Sequence, residues 1–277
     1  MLLVLATSAR ADEASGLDRW VPALAVYSAI NLQHQENLAD SPQRAREVDD
    51  QLKVYAAMEG HLELMAPALF ESYGAPRLFV RGGAGRAWDT VQLSAENKPG
   101  DPEEIPLAGT GAPPPIQGVV RTGTGIRSQF SPYFFTAAAG LAFQIPLEER
   151  ILRIRPSVEY RRGSMEVEGI VSHAISIAGD DFCPCSLGRL LSKEQQDHDM
   201  LGMGLELEVD AQRAGPFMVS LYASSQVYRV LTGRKIRTAE SGFMDDGTTP
   251  LSVRTRTFLD EWAVNAGVGM RFRWLPE

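Results

Sequence analysis

Charged residues recur at every second position in two stretches of this 277-residue chain, and they are the first candidates for chemistry. One stretch is Leu152-Arg153-Ile154-Arg155-Pro156-Ser157-Val158-Glu159-Tyr160; the other is Leu205-Glu206-Leu207-Glu208-Val209-Asp210. Side chains alternate across a strand, so each set of charges shares one face. Arg271 and Arg273 repeat the spacing further on, and Arg81 and Glu63 stand in earlier apolar segments. Charges taken out of water together must pair and hydrogen-bond. The cluster is therefore expected to fill an interior with salt bridges and not to line an open pore. The functional alternative is that it selects an ion or solute.

Other reactive residue types offer less. His34, His61, His173 and His198 share no metal-ligand spacing. Ser172-His173 invites comparison with lipid hydrolases that use a Ser/His pair, but no acidic partner lies at a convincing offset. Cys183 and Cys185 flank Pro184; a local loop disulfide or two free thiols is favoured over a metal or redox site. Asp180-Asp181 and Asp245-Asp246-Gly247 read as solvated acidic turns before they read as calcium loops. Arg81-Gly82-Gly83-Ala84-Gly85-Arg86 lacks the Lys-Ser/Thr of a phosphate loop, so close strand packing explains its glycines better. No catalytic, cofactor or metal residue is assigned, and no enzyme activity is expected.

Composition narrows the class. The net charge is −8, and no basic stripe interrupts it, which argues against a nucleic-acid partner. No apolar run reaches the roughly 18 residues of a spanning helix. Ala9-Arg10-Ala11 is a small-x-small cleavage site after an apolar stretch, so residues 1–11 are expected to be the remnant of a secretion signal. One domain, residues 12–277, follows.

The elements that would position the charges are long alternating strands. From Trp262 to Trp274 the even positions are apolar with aromatic ends, and the odd positions are small or charged. The same code runs through Leu201–Asp210, Phe217–Tyr228, Leu152–Arg161 and Tyr133–Gln144, with weaker copies at 20–31, 52–69 and 78–93. This predicts about eight strands. Short connections fall at 70–77, 146–150 and 212–216, and long polar ones at 34–51, 94–128, 178–199 and 231–255. The polar segment 42–52 could hold a short surface helix. The pattern matches outer-membrane barrels, with short periplasmic turns, long external loops and both termini periplasmic.

A soluble barrel alternates in the opposite sense. Three features favour the membrane form: small residues on the non-apolar faces, aromatics flanking the apolar ones, and a closed sheet that satisfies every backbone group in lipid. The expected fold is an all-β, antiparallel, up-and-down transmembrane barrel. Leu62–Leu69, Pro76–Val80, Leu152–Tyr160, Gly204–Glu208 and Gly267–Glu277 resemble an outer-membrane β-barrel family of Gram-negative bacteria whose members mostly lack an assigned activity. That resemblance implies fold and location only. One departure is that Leu275-Pro276-Glu277 follows Trp274, where barrels usually end on an aromatic residue. The expected partners are the lipid bilayer, lipopolysaccharide and the barrel-assembly machinery, with the protein a monomer. Its expected role is structural or surface-interactive; the alternatives are a solute or lipid channel and a lipid-modifying enzyme.

Overall fold

A computed structural model describes residues 18–41, 44–70, 74–88, 92–105, 116–147, 150–177, 184–245 and 247–275. Only the backbone is described at 44–49, 92–105, 116–122, 174–177 and 184–187. The signal remnant and Cys183, and with it the expected loop disulfide to Cys185, lie outside the described residues. Eleven strands form one antiparallel sheet: β1 (Val21–Ser41), β2 (Arg44–Ala68), β3 (Arg77–Trp88), β4 (Gln92–Ile105), β5 (Ile116–Phe130), β6 (Tyr133–Pro146), β7 (Ile151–Ile177), β8 (Pro184–Ala214), β9 (Phe217–Val230), β10 (Lys235–Phe243) and β11 (Pro250–Trp274). Among the described residues there is no helix.

Eight of these strands close a ring, in the order β7-β6-β3-β2-β1-β11-β9-β8 and back to β7. Call the end carrying the start of β1 and the end of β11 the lower end. Its turns are short: Gly215 adopts φ 59° between β8 and β9, a left-handed angle that glycine takes at no steric cost.

The expectation of about eight strands needs correction, and so does that of long external loops. Two of the strand paths are each broken into two elements among the described residues, β5 to β6 at Ser131-Pro132 and β9 to β10 across 231–234; β3 and β4 stand on either side of 89–91, which lie outside the described residues. Proline has no N–H to donate to a ladder, which suits the β5/β6 break. Much of 94–128, 178–199 and 231–255, read as loop from sequence, is strand, as is 44–51 in place of the surface helix. These upper segments are polar outside, and that polarity masked their two-residue period.

Above the ring, pairing changes. β5 takes the place of β6 beside β7, and β10 takes the place of β9 beside β11. Among the described residues no ladder joins β2 to β4 or β10 to β8. The upper part is thus two sheets, β2-β1-β11-β10 and β4-β5-β7-β8, packed face to face. Gln35 on β1 donates to Ser128 on β5 at 2.7 Å, and the Ser192 hydroxyl on β8 meets Thr238 on β10 at 2.5 Å. Gly169 on β7 permits the approach: a Cβ there would sit 2.4 Å from the Thr255 methyl on the facing sheet. Tyr55, Ile126, Phe130, Met165, Val167, Ile236 and Leu259 belong to the apolar core at the base of this sandwich.

The two parts use opposite polarity on the same strands. On β11 odd-numbered side chains point inward, except Glu261 at the change of level. Ala263, Asn265, Arg271 and Arg273 do so below, while Trp262, Val268, Met270 and Trp274 are exposed. Above, Leu251, Val253 and Leu259 are buried, while Arg254, Arg256 and Asp260 are exposed. On β8 the outer row is Leu201, Met203, Leu205 and Leu207 below, and Lys193, Gln195 and Asp197 above. On β1 it runs from Leu24, Val26 and Ile30 to His34, Glu36 and Asp40. On β7 Val158 and Tyr160 give way to Arg162. The changes fall at one level, because Tyr160 pairs with Leu201, Leu201 with Arg229, and Arg229 with Trp262.

Candidate functional site

The interior of the ring is the candidate site, and its layers can be followed upward. At the bottom, Val21, Met65, Phe79, Ala142, Met218 and Leu275 form an apolar floor. Arg77 beside it donates to the carbonyls of Ala66 at 2.7 Å and Arg19 at 2.8 Å.

The charges sit immediately above. Arg153 pairs with Asp210 at 2.6 Å and with Glu208 at 3.5 Å. Arg155 meets Glu63 at 2.7 Å, Glu208 at 2.8 Å and Glu206 at 3.0 Å. Arg271 reaches Glu206 at 2.6 Å and also Glu208; Arg273 joins Asp210 and lies 3.5 Å from Glu208. Arg81 pairs with Glu159 at 2.7 Å and Glu206 at 3.0 Å. Five arginines thus face five carboxylates, Glu63, Glu159, Glu206, Glu208 and Asp210. The strands explain the arrangement: β7 and β8 are antiparallel neighbours that place Arg153 opposite Glu208 and Arg155 opposite Glu206. Aromatic faces complete the packing, with the Arg155 guanidinium 4.1 Å from the Phe79 ring and that of Arg271 4.6 Å from Tyr222.

Neutral polar groups come next. Tyr27 stacks on Tyr222 with centroids 5.9 Å apart and donates to Asn265 at 2.7 Å. Asn265 in turn donates to Asn31 at 2.9 Å. Arg161 also donates to Asn31, lies 3.7 Å from Glu59 and caps the Phe134 ring. His61 meets Glu59 at 3.0 Å. The gap lined by Tyr27, Glu59, His61, Arg81, Glu159, Tyr222, Ser224 and Gln226 has no room for a water-sized sphere.

All nine charges singled out from sequence, Arg81, Arg153, Arg155, Glu159, Glu206, Glu208, Asp210, Arg271 and Arg273, lie in this interior, and each touches at least one of the others. Sequence reasoning missed Lys53 and Glu59, although Lys53, Tyr55, Glu59, His61 and Glu63 share one parity on β2; it put Arg161 on the inner face of its strand but not in the cluster. The histidines do not converge. His61 and His198 are buried far apart along the axis, and His34 forms an exposed pair with Asp50 at 3.0 Å. Ser172 faces out while His173 faces in, so these neighbours cannot act on one another. Among the described residues no cluster of three His, Cys, Asp or Glu side chains could hold a metal ion.

His198 sits inside, just above the level where the outer face changes. Its ring packs edge-on against Phe130 at 5.7 Å. Burial, and then the charge of Arg161, push its imidazole down to about 4, against the pull of Asp199 and Asp197. The neutral ring is therefore the folded form. Its contribution is complete above the ordinary histidine value of about 6.5 and is lost as pH falls toward 4. That window corresponds to about 3 kcal/mol. Protection factors of the β5, β7 and β8 amides, which correct for the slower intrinsic exchange in acid, should fall on acidification between those limits, and His198→Gln should remove most of the fall. An unchanged pH profile in the variant would show that His198 is not the sensor.

Fold and interior together define a closed antiparallel β-ring, apolar outside, filled with paired charges inside, and roofed by a β-sandwich. No family model matches the chain, and neither does any curated protein. Solved structures with some likeness are outer-membrane proteins. Ail, the attachment invasion locus protein of Yersinia pestis, is 10% identical over 88% of this chain and 97% of its own, with TM-score 0.24. A major outer membrane protein from Thermus thermophilus is 13% identical over 89% and 99%, with TM-score 0.32. The outer membrane protease OmpT of Escherichia coli is 7% identical over 94% and 98%, with TM-score 0.22. At these scores the likenesses carry no argument, and the assignment rests on the chain's own geometry.

Proposed function

We propose that this protein is a closed outer-membrane β-barrel whose role is to hold a rigid surface extension above the bilayer, for envelope stability or contact with surface lipids. The observation that carries the reading is the polarity change at one level of the wall. A soluble barrel has no reason to expose Leu62, Met203, Val268 and Phe135, between half and three-quarters accessible, below a line and charges above it. A bilayer edge supplies the reason. Trp262 to Trp274 spans twelve residue steps. At about 3.3 Å per residue and a tilt near 45° that is about 28 Å, close to the roughly 25 Å apolar band of such barrels. Aromatic side chains mark both borders: Trp88, Tyr133 and Trp262 above, Trp20, Phe70, Phe217 and Trp274 below. Closing the ring leaves no unpaired edge in lipid.

The interior supports a plugged barrel over a channel. An apolar floor, an ion-paired layer, a polar layer and a sandwich core lie in series along the axis. Eight strands enclose a space that side chains just fill. Purified protein in a planar bilayer should show no steady single-channel steps. Reproducible unitary conductance from the wild type would overturn the plugged reading and favour the channel.

A further inference from the structure

The outer face of the upper sandwich carries a group of cations that internal packing does not explain. Arg237 on β10 stands directly opposite Arg256 on β11, and Arg254 lies one outward position further along β11. Lys235 is opposite Phe258, with its ammonium 4.9 Å from the ring centroid. The three arginines are exposed. Like charges directly opposite in an antiparallel pair destabilise it. Asp40 on β1 stands directly opposite Arg254, and Glu36 opposite Phe258; no carboxylate stands opposite Arg237 or Arg256, and no ion pair joins the group to a carboxylate among the described residues. Desolvation, and then the charges of Arg237 and Arg256, hold Lys235 below the usual amine value. At its centre Arg237 faces Arg256, two like charges side by side on a chain whose net charge is −8.

Its height is informative. Arg256 is six residues above Trp262 on the same strand. That places it about 14 Å beyond the aromatic border, at about 3.3 Å per residue and the same tilt. The position lies past the acyl chains and level with the phosphorylated sugars of an outer-leaflet glycolipid. Guanidinium groups match phosphate oxygens in geometry as well as in charge.

We propose that Arg237, Arg254, Arg256 and Lys235 form a docking surface for the phosphate groups of lipopolysaccharide. The proposal deepens the outer-membrane reading and rests on it. Phosphates placed between the opposed arginines would convert the repulsion of Arg237 and Arg256 into shared attraction, so the surface is complete only with the glycolipid present.

The test uses full-length protein refolded in detergent micelles and titrated with purified lipopolysaccharide at two salt concentrations. Replacing Arg237, Arg254 and Arg256 together with glutamine should weaken binding roughly a hundredfold, from about fivefold per cation. The same three changed to lysine should retain most of the affinity. Dephosphorylated lipopolysaccharide should bind the wild type as weakly as intact lipopolysaccharide binds the glutamine variant. Inorganic phosphate at millimolar concentration should not compete; if it displaces the glycolipid, the surface is a free-phosphate site and the proposal fails. Equal binding of intact and dephosphorylated glycolipid to folded wild type would also overturn it, while leaving the barrel reading in place. Failure of the wild type to fold in micelles or vesicles, judged by heat-modifiable gel mobility, would count against the barrel itself.

Discussion

Changing Glu208 to glutamine should destabilise the protein by about 3–5 kcal/mol, the usual cost of removing one partner from a buried ionic set. Glu208 is fully buried and lies within ion-pair distance of Arg153, Arg155, Arg271 and Arg273. The substitution keeps the shape and removes the charge. Five arginines would then share four carboxylates in a space that admits little water. Arg153 and Arg273 would keep Asp210, and Arg155 would keep Glu63 and Glu206, so the loss falls hardest on the balance of the whole set. The measurement is urea unfolding of protein refolded into lipid vesicles, followed by tryptophan fluorescence. Arg229→Gln is the control, because Arg229 pairs with Glu261 on the outer surface and such pairs contribute below about 1 kcal/mol. A second change, Arg271→Gln in the Glu208→Gln background, should recover part of the loss by restoring the balance. If Glu208→Gln costs no more than the surface control, the interior charges do not depend on one another.

Two leucines on β8 make a second experiment with opposite outcomes from one substitution. Leu205 and Leu191 both face outward, at 49% and 45% exposure. Arginine at 205 would lie against lipid and should cost about 2–4 kcal/mol near the midplane. Arginine at 191 would lie among Arg189, Lys193 and Glu168 on the sandwich and should change stability by less than about 0.5 kcal/mol. A soluble protein would treat the two alike. Equal, small effects at both positions in vesicles would therefore remove the bilayer from the account.

The lower half of each strand was legible because its outer row is almost purely apolar while its inner row is small or charged. Trp262–Trp274 and Leu201–Asp210 show the contrast at every step. The charge cluster was legible for the same reason, since a lone row of Arg or Glu between leucines has only one face to occupy. The upper halves were not read as strands, although the period persists. Leu251, Val253, Thr255, Thr257 and Leu259 alternate with Ser252, Arg254, Arg256, Phe258 and Asp260. There the apolar row is inside, so the parity of hydrophobicity reverses near Asp260-Glu261-Trp262. A search for one fixed code reads that reversal as the end of the strand. Breaks such as Ser131-Pro132 follow from the change of pairing partner above the ring, a tertiary event with only a faint local signature. The face-to-face sandwich had no sequence signal at all, because it depends on which sheets meet.

On the outer-membrane reading proposed above, the reversal of polarity along the wall would also set the depth at which the molecule floats. Sinking by one outward position, about 5 Å of vertical travel at this tilt, would carry Arg162, Asp199 and Arg229 toward the acyl chains. Rising by the same amount would bring Trp20, Phe70 and Trp274 in from the lower border. In the bilayer we propose, either displacement would cost free energy, so the protein would ride in a narrow vertical well and a thinner or thicker bilayer would adjust to it. The wall would thereby act as a gauge of membrane thickness, keeping the top of the sandwich at a constant altitude.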